Sequence, residues 1–374
     1  MNRRICLITE SLDRRRGGAE SHLADLVQSF AQAGHPVRAF LRRPGHSPSS
    51  VDVEVVRAGI GWGPLREWQF ARAIQRRLVG TNDIVFSTLP LAIPGVTHYL
   101  SPAGLYRAGF EAERASFDPG LQQRFYRLGN RLNLQRQQRM AAQEKLLARQ
   151  SRLKILTLSA AARDQILNLF HPPAENVATI PPGVDLTKFH PGAAAAPRGE
   201  RLRLLFVGHN FRLKGLHCLL RALSHAERSG LRAELTVAGG GASGEFKALA
   251  GSLGLAVHFR GPVSDGVMGE LYRSSDALLH PTFADHCSLV VLEALASGLP
   301  VITTRQNGAA ELMESGRQGF IVEDPRDIEA LASALLRLQD RAKLDAMREA
   351  AVALRPRLDF ADHARGVLAW LTGD

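Results

Sequence analysis

With 374 residues the chain exceeds what one ordinary hydrophobic core organises, so two domains are expected. Its 45% hydrophobic content is that of a globular protein. No apolar run approaches the roughly 18 residues needed to cross a bilayer, and three scattered cysteines (Cys6, Cys218, Cys287) argue against a metal site and suit packing in a reducing compartment. The formal net charge of +11, rich in arginine, calls for an anionic partner: nucleic acid, a phosphorylated small molecule or an acidic membrane surface.

The start, MNRRICLITESLDRRRGG, reads as a buried first strand, not a leader, because arginines follow its apolar run and no small-residue cleavage site does. The turn RRRGGAESH then opens a helix with Leu23, Leu26, Val27 and Phe30 on one face. PVRAFLR, VDVEVVRAG and NDIVFSTLP are expected as strands, and a long basic helical pattern runs from about Leu121 to Arg152. LKILTLS and VATIPPGV close the first half. HPGAAAAPRGE, His190 to Glu200, has the composition of a linker. A second unit begins with RLRLLFVGHN and continues through AELTVAGGG, AVHFRGPV, DALLHPT, LPVITT and QGFIVED, with helical patterns between them. A last helix, Phe360 to Leu371, follows the break LRPRLD. The expected organisation is a domain over 1–190, a linker over 191–200, a domain over 201–355, and a terminal segment, 356–374, crossing back to the first domain. Strands alternating with helices throughout specify an α/β protein of two Rossmann-like domains facing a central cleft.

Four stretches carry chemistry. In FADHCSLVVLEALASG the acid Glu293 lies inside an apolar run and Asp285 lies just before it. A buried carboxylate needs a partner or a ligand. If a helix begins near Cys287 or Ser288, its free amides suit a phosphate, and the two acids could accept hydrogen bonds from hydroxyls at either end of one ligand. A capping Asp with a Glu paired to a buried cation is the alternative. In VGHNFRLKG a turn at Gly208 precedes Arg212 and Lys214 at the carboxyl end of a strand, where open α/β sheets bind ligands. A solvated basic loop is the alternative. In VAGGGASGEF, Gly239, Gly241 and Gly244 match G-x-G-x-x-G, but the unit begins a strand earlier and no acid ends AVHFRG to hold a ribose. Arg260 leaves an NADP enzyme open. Those glycines admit a nucleotide to the backbone or make a tight turn. Gly17 and Gly18 form an anion site or an ordinary strand–helix turn.

Together these residues resemble the retaining glycosyltransferases of family 4. Asp285-x7-Glu293 resembles their E-x7-E motif, FRLKG their diphosphate loop, PPGVD (Pro181 to Asp185) their N-G-V-D segment, and GGAE their first-domain glycine loop. A finer resemblance, carried by RMAAQEKLLARQSRLKILTLS, is to the bacterial lipopolysaccharide core glucosyltransferases. The resemblance implies a GT-B fold, with a nucleotide-diphospho-sugar of the UDP-glucose kind on the second domain and a glycan or glycolipid acceptor on the first. It assigns the ribose hydroxyls to Glu293, the donor sugar to Asp285, and the leaving diphosphate to Arg212 and Lys214, with these last three as the catalytic set. Gly17, Gly18, Gly208, Gly239, Val263, His286, Cys287, Ser288 and Leu289 would complete the donor site. No cofactor or metal is implied, and no Asp-x-Asp pair occurs. Where relatives often carry His or Asp beside a glycine, HYLSPAGLY has Ala103. His98 and Ser101 are then acceptor-side candidates, or plain loop residues.

The basic segment 124–154 includes Arg124, Arg127, Arg131, Arg136, Arg139 and Lys145, interleaved with Phe125, Tyr126 and Leu132. It is expected either to dock the protein on the anionic inner face of the cell membrane or to be a solvated helix face. No recognition motif supports nucleic acid. The localisation expected is cytoplasmic. Two rival functions share these motifs: a nucleotide-sugar 2-epimerase of GT-B fold, and a silent sugar-nucleotide-binding protein.

Overall fold

The structure, a computed structural model, describes residues 3–15, 17–57, 63–101, 104–149, 152–192 and 200–373. They form two compact units. The first comprises 1–110, 120–181 and 361–374, and the second 111–119 and 182–360.

The first unit is built on seven parallel strands: β1 (Ile5–Thr9), β2 (Val37–Leu41), β3 (Asp52–Val55), β4 (Ile84–Ser87), β5 (His98–Leu100), β6 (Lys154–Thr157) and β7 (Val177–Thr179), in the order β3-β2-β1-β4-β5-β6-β7. Ile5 to Thr9 are all buried, as expected of a strand covered by helices on both sheet faces. The helices are α1 (Gly18–Gln32), α2 (Gly63–Leu78), the first half of α3 (Tyr106–Ala115), whose residues from 111 group with the second unit, α4 (Leu121–Leu132), α5 (Leu134–Arg149) and α6 (Ala160–Phe170). The second unit has six parallel strands: β8 (Leu202–Val207), β9 (Ala233–Ala238), β10 (Val257–Gly261), β11 (Ala277–His280), β12 (Val301–Thr304) and β13 (Gly319–Val322), in the order β10-β9-β8-β11-β12-β13. Its helices are α7 (Leu216–Arg228), α8 (Gly244–Ser252), α9 (Asp265–Ser274), α10 (Leu289–Ala296), α11 (Ile328–Arg337) and α12 (Arg341–Ala353). Helix α13 (Phe360–Thr372) ends the described chain.

The second core is a continuous cluster in which Leu216, Leu219, Leu220 and Leu223 of α7 meet Leu331 and Leu335 of α11 over β8 and β9. Asp327 caps α11 by accepting from the Ala330 amide at 2.8 Å. In the first unit α13 is held by polar and aromatic contacts. His363 Nε2 lies 3.1 Å from His22 Nε2 of α1, and its Nδ1 lies 2.8 Å from the Pro181 carbonyl. Burial keeps both imidazoles neutral, pushing His363 down to about 4 and His22 to about 3, so one ring can donate and the other accept.

Several details differ from the sequence reading. The expected helix over 121–152 is two helices, broken at Asn133, whose backbone is extended and whose side chain accepts from the Arg136 amide at 3.0 Å, so it starts α5 as a cap. Residues 98–100, not expected as a strand, are β5 between β4 and β6. Residues 182–190 group with the second unit because Val184 bridges Asp359 and the Arg355 guanidinium donates to the carbonyls of Leu186 and Phe189. Residues 111–119 also group there, with Arg326 donating to the Ala115 carbonyl and Arg221 to Asp118. Most of the linker, 193–199, lies outside the described residues.

Candidate functional site

The order of the second sheet reverses between β8 and β11, and open parallel sheets bind ligands outside their strand ends at such a point. The loops leaving these two strands are joined. The Phe283 amide donates to the Leu213 carbonyl at 2.8 Å, and the Thr282 hydroxyl donates to the same oxygen at 3.2 Å. Glycine permits this closeness. At Gly215, where φ is +80°, a β-carbon would lie 2.0 Å from the Pro281 oxygen, and at Gly239, φ +120°, it would lie 1.9 Å from the Gly208 oxygen.

These joined loops bring Lys214 to Asp285. Lys214 Nζ donates to Asp285 Oδ2 at 2.5 Å, and each side chain retains 19% exposure. The same carboxylate oxygen lies 3.5 Å from Nε2 of the buried His280, which is also 3.3 Å from Ser288 Oγ. Burial alone would raise the Asp285 carboxyl, but the Lys214 charge and the His280 bond outweigh it and hold Asp285 well below the usual carboxylate range. Burial lowers His280, so the imidazole beside this pair is neutral. The main chain of Asp285 is fixed as well: its amide donates to Gln306 at 3.0 Å, and its carbonyl accepts from Gly308 at 2.8 Å.

Helix α10 starts at this cluster with Ser288 as its cap residue. Its first-turn amides, Leu289 and Val290, have no acceptor within the helix and mark its positive end. The Ser288 amide, expected to hold a phosphate, instead donates to Asn307 Oδ1 at 3.2 Å. Further along the helix, Glu293 Oε2 accepts from the buried Tyr272 hydroxyl at 2.8 Å. The run around Glu293 is apolar because α10 is buried on most sides, by Val291, Leu292, Ala294 and Leu295. Burial pushes the Glu293 carboxyl up to about 7, with the Tyr272 bond opposing that rise.

Arg212 is engaged elsewhere. Its guanidinium pairs with Glu245 and lies over Phe117, 4.8 Å from the ring centre, and over Phe246 at 5.9 Å. Its assignment to a diphosphate therefore requires exchange of the half-exposed Glu245 for the phosphate. Gly208 and Gly239 sit at the ends of β8 and β9, and Val263 follows β10, all on the strand-end side of the sheet. His286 is half-buried, and Cys287 is buried with a thiol pushed far above its usual value, so it offers backbone rather than side chain.

In the first unit Gly17 caps α1, which begins at Gly18. His98 is a buried residue of β5, edge-on to Trp370 at 4.7 Å and lowered by burial to about 4. Ser101 Oγ donates to the Gly104 carbonyl at 2.6 Å. Both side chains are buried in the first unit. Ala103 lies outside the described residues. Sequence reasoning passed over Tyr272, His280 and Asn307. Only His280 left a signal, as a histidine ending an apolar strand. Among the described residues no three His, Cys, Asp or Glu side chains gather closely enough to hold a metal ion.

Comparison with known proteins identifies relatives of both units. Residues 16–188 match the model for Glycosyltransferase Family 4, and residues 201–341 match that for Glycosyl transferases group 1. A D-inositol 3-phosphate glycosyltransferase of Corynebacterium kroppenstedtii is 31% identical over 233 residues, 57% of this chain and 51% of that protein. A glycogen synthase of Mycobacterium tuberculosis is 31% identical over 222 residues, 59% of this chain and 53% of that one. The chain thus spans about half the length of these curated relatives. Among solved structures, WaaG, a glycosyltransferase involved in lipopolysaccharide biosynthesis, aligns over 99% of this chain and 100% of its own at TM-score 0.79 and 22% identity. HepE of Anabaena in complex with UDP and glucose aligns over 99% and 100% at TM-score 0.74 and 17% identity. With one family model on each Rossmann-like domain and the GT-B fold throughout, the chain belongs to the family 4 glycosyltransferases.

Proposed function

We propose that the protein is a retaining, metal-independent glycosyltransferase that moves a hexose from a nucleotide-diphospho-sugar of the UDP-glucose type to a glycan or lipid-linked acceptor, the lipopolysaccharide core being the acceptor class. The observation that carries this reading is the Lys214 ammonium, 2.5 Å from Asp285, beside the start of α10. Negative charge grows on the diphosphate oxygen as the anomeric bond lengthens, and a fixed cation with a helix end stabilises it without a metal. Asp285, ionised throughout the working range, accepts from a hydroxyl of the donor hexose, and Glu293 accepts from the ribose hydroxyls. In substitution on the face the diphosphate leaves, a departing phosphate oxygen takes the acceptor proton, so no side-chain base is required. Similarity to a D-inositol 3-phosphate glycosyltransferase, a glycogen synthase and WaaG supports a glycan or polyol acceptor.

The test is incubation with labelled UDP-, GDP- and ADP-hexoses, with and without lipopolysaccharide-core oligosaccharide. Transfer to the oligosaccharide from UDP-glucose is expected. Epimerised nucleotide sugar without any acceptor, or tight binding with no turnover, would replace the transferase reading with one of its two rivals.

We also assign α4 to an anionic membrane surface. Leu121, Phe125, Leu128 and Leu132 share one face of the helix and are each between 54% and 71% exposed, with Arg124, Arg127 and Arg131 interleaved. Such a face lies in a lipid interface with its arginines toward headgroups. The protein is expected to sediment with anionic vesicles at low salt, less at high salt, and not after the joint change Phe125→Glu and Leu128→Glu. Pelleting that ignores lipid charge would remove the membrane assignment. Among the described residues no helix is long and apolar enough to cross a membrane.

A further inference from the structure

The first unit contains a cavity of about 570 Å³ beyond the carboxyl ends of β1, β2 and β4, within the size range of small-ligand pockets. Two of its four cations are neutralised in place. Arg42 makes a pair of 2.6 Å bonds to the Glu67 carboxylate, and Arg43 meets Glu10 at 2.8 Å. The other two, Arg139 and Lys145 of α5, have no hydrogen-bond or ion-pair partner among the described residues. Against them stands one acid outside those pairs, Glu20 of α1, which leaves the wall net positive. The Trp68 ring forms another wall. It is 55% exposed, and the Arg72 guanidinium lies 5.1 Å from its centre.

Each wall selects something. Two cations without ion-pair partners, in a concave, partly desolvated site of net positive charge, draw an anion. Arg and Lys together offer a fork of donors and a point charge, which suit the three oxygens and near-double charge of a phosphate monoester better than a singly charged carboxylate. Carboxylates already held by arginine still accept from hydroxyls. An exposed indole face covers the apolar face of a sugar ring.

We propose that this cavity binds a phosphorylated saccharide, with its phosphate on Arg139 and Lys145 and its ring against Trp68. The proposal rests on the transferase reading only in making that saccharide the acceptor. It also divides the basic segment, since Arg139 and Lys145 serve the cavity while the arginines of α4 serve the surface.

The test uses the full chain, with calorimetry and ligand-observed NMR on glucose 6-phosphate, glucose, glucuronate and inorganic phosphate, and with UDP affinity measured in parallel. Glucose 6-phosphate is expected to bind roughly tenfold or more tightly than any of the other three. The double change Arg139→Ala and Lys145→Ala should reduce it to the level of glucose, and Trp68→Ala to that of inorganic phosphate, with UDP affinity unchanged in both. All three side chains are partly or largely exposed, so the variants should fold. Equal binding of glucose and glucose 6-phosphate, equal binding of glucuronate, or undiminished binding by the double variant overturns the proposal. Selective glucose 6-phosphate binding by a protein that transfers no sugar supports it while removing the transferase reading.

Discussion

Changing Lys214 to alanine is expected to lower turnover with saturating UDP-glucose by about 10²- to 10³-fold, the usual effect of deleting one fixed donor from a site of developing charge. Among the described residues the ammonium is the one cation held against Asp285, 2.5 Å away, at the switch point of the second sheet. Arg212 cannot stand in for it without leaving Glu245. The substitution also strips Asp285 of the charge that depresses its carboxyl. A depressed carboxyl contributes stability that is present above its unfolded value of about 3.8 and disappears as pH falls through the folded value. Lys214→Ala should therefore lower Tm at pH 7 and converge with the parent protein in strong acid. Removing one partner of a fully buried pair costs about 3–5 kcal/mol, and the residual exposure here reduces that. Lys214→Met, which keeps the stem, separates packing from charge. A kcat within threefold of the parent in a folded Lys214 variant would end the role of this residue as charge stabiliser.

The second large effect concerns Glu293, where stability and binding should move in opposite directions. Its carboxyl titrates near 4.5 in the unfolded chain and about 7 in the folded one. Below 4.5 it is protonated in both states. Between the two values the unfolded chain ionises first, so stability declines with rising pH, and the decline is complete once the folded value is passed. Glu293→Gln removes that loss and should raise stability at pH 8 by on the order of 1–3 kcal/mol, after discounting for solvent reach. On the proposed ribose contact, the same change deletes the charged acceptor for two hydroxyls and should weaken UDP-glucose binding about 10- to 100-fold at pH 8. The parent's affinity should improve from pH 6 to 8, and that of Glu293→Gln should stay flat. A nucleotide sugar has no group of its own that titrates there. Calorimetry across this range decides the matter, since unchanged affinity in the glutamine variant would reject the ribose contact.

Much of this arrangement was written locally in the chain. Runs such as ICLIT and LRLLFV announce buried parallel strands, because their apolar residues do not alternate. The spacing of Asp285 and Glu293 placed one before a helix and the other within it, and α10 does begin between them. What stayed hidden depends on partners distant in sequence. His98–Leu100 is a strand only because β4 and β6 flank it. Tyr272 becomes the neighbour of Glu293 through packing of α9, and nothing in DGVMGELYRS marks it. Arg212 read as a free cation because Glu245 and Phe117 lie far away in the chain. The first-unit cavity draws its walls from seven stretches far apart in the chain, and no one of them announces a pocket by itself.

The hydrogen bonds that grip Asp285 on both sides of its main chain have a consequence for substrate range. With amide and carbonyl both tethered to residues 306 and 308, the loop cannot slide to meet a differently shaped sugar. Only two side-chain torsions remain adjustable. On the proposed contact of Asp285 with the donor hexose, an acceptor atom confined to so small an arc distinguishes an axial from an equatorial hydroxyl, so the protein should be selective among epimers, and widening its range would begin with Gln306 and its neighbours rather than with the acid itself.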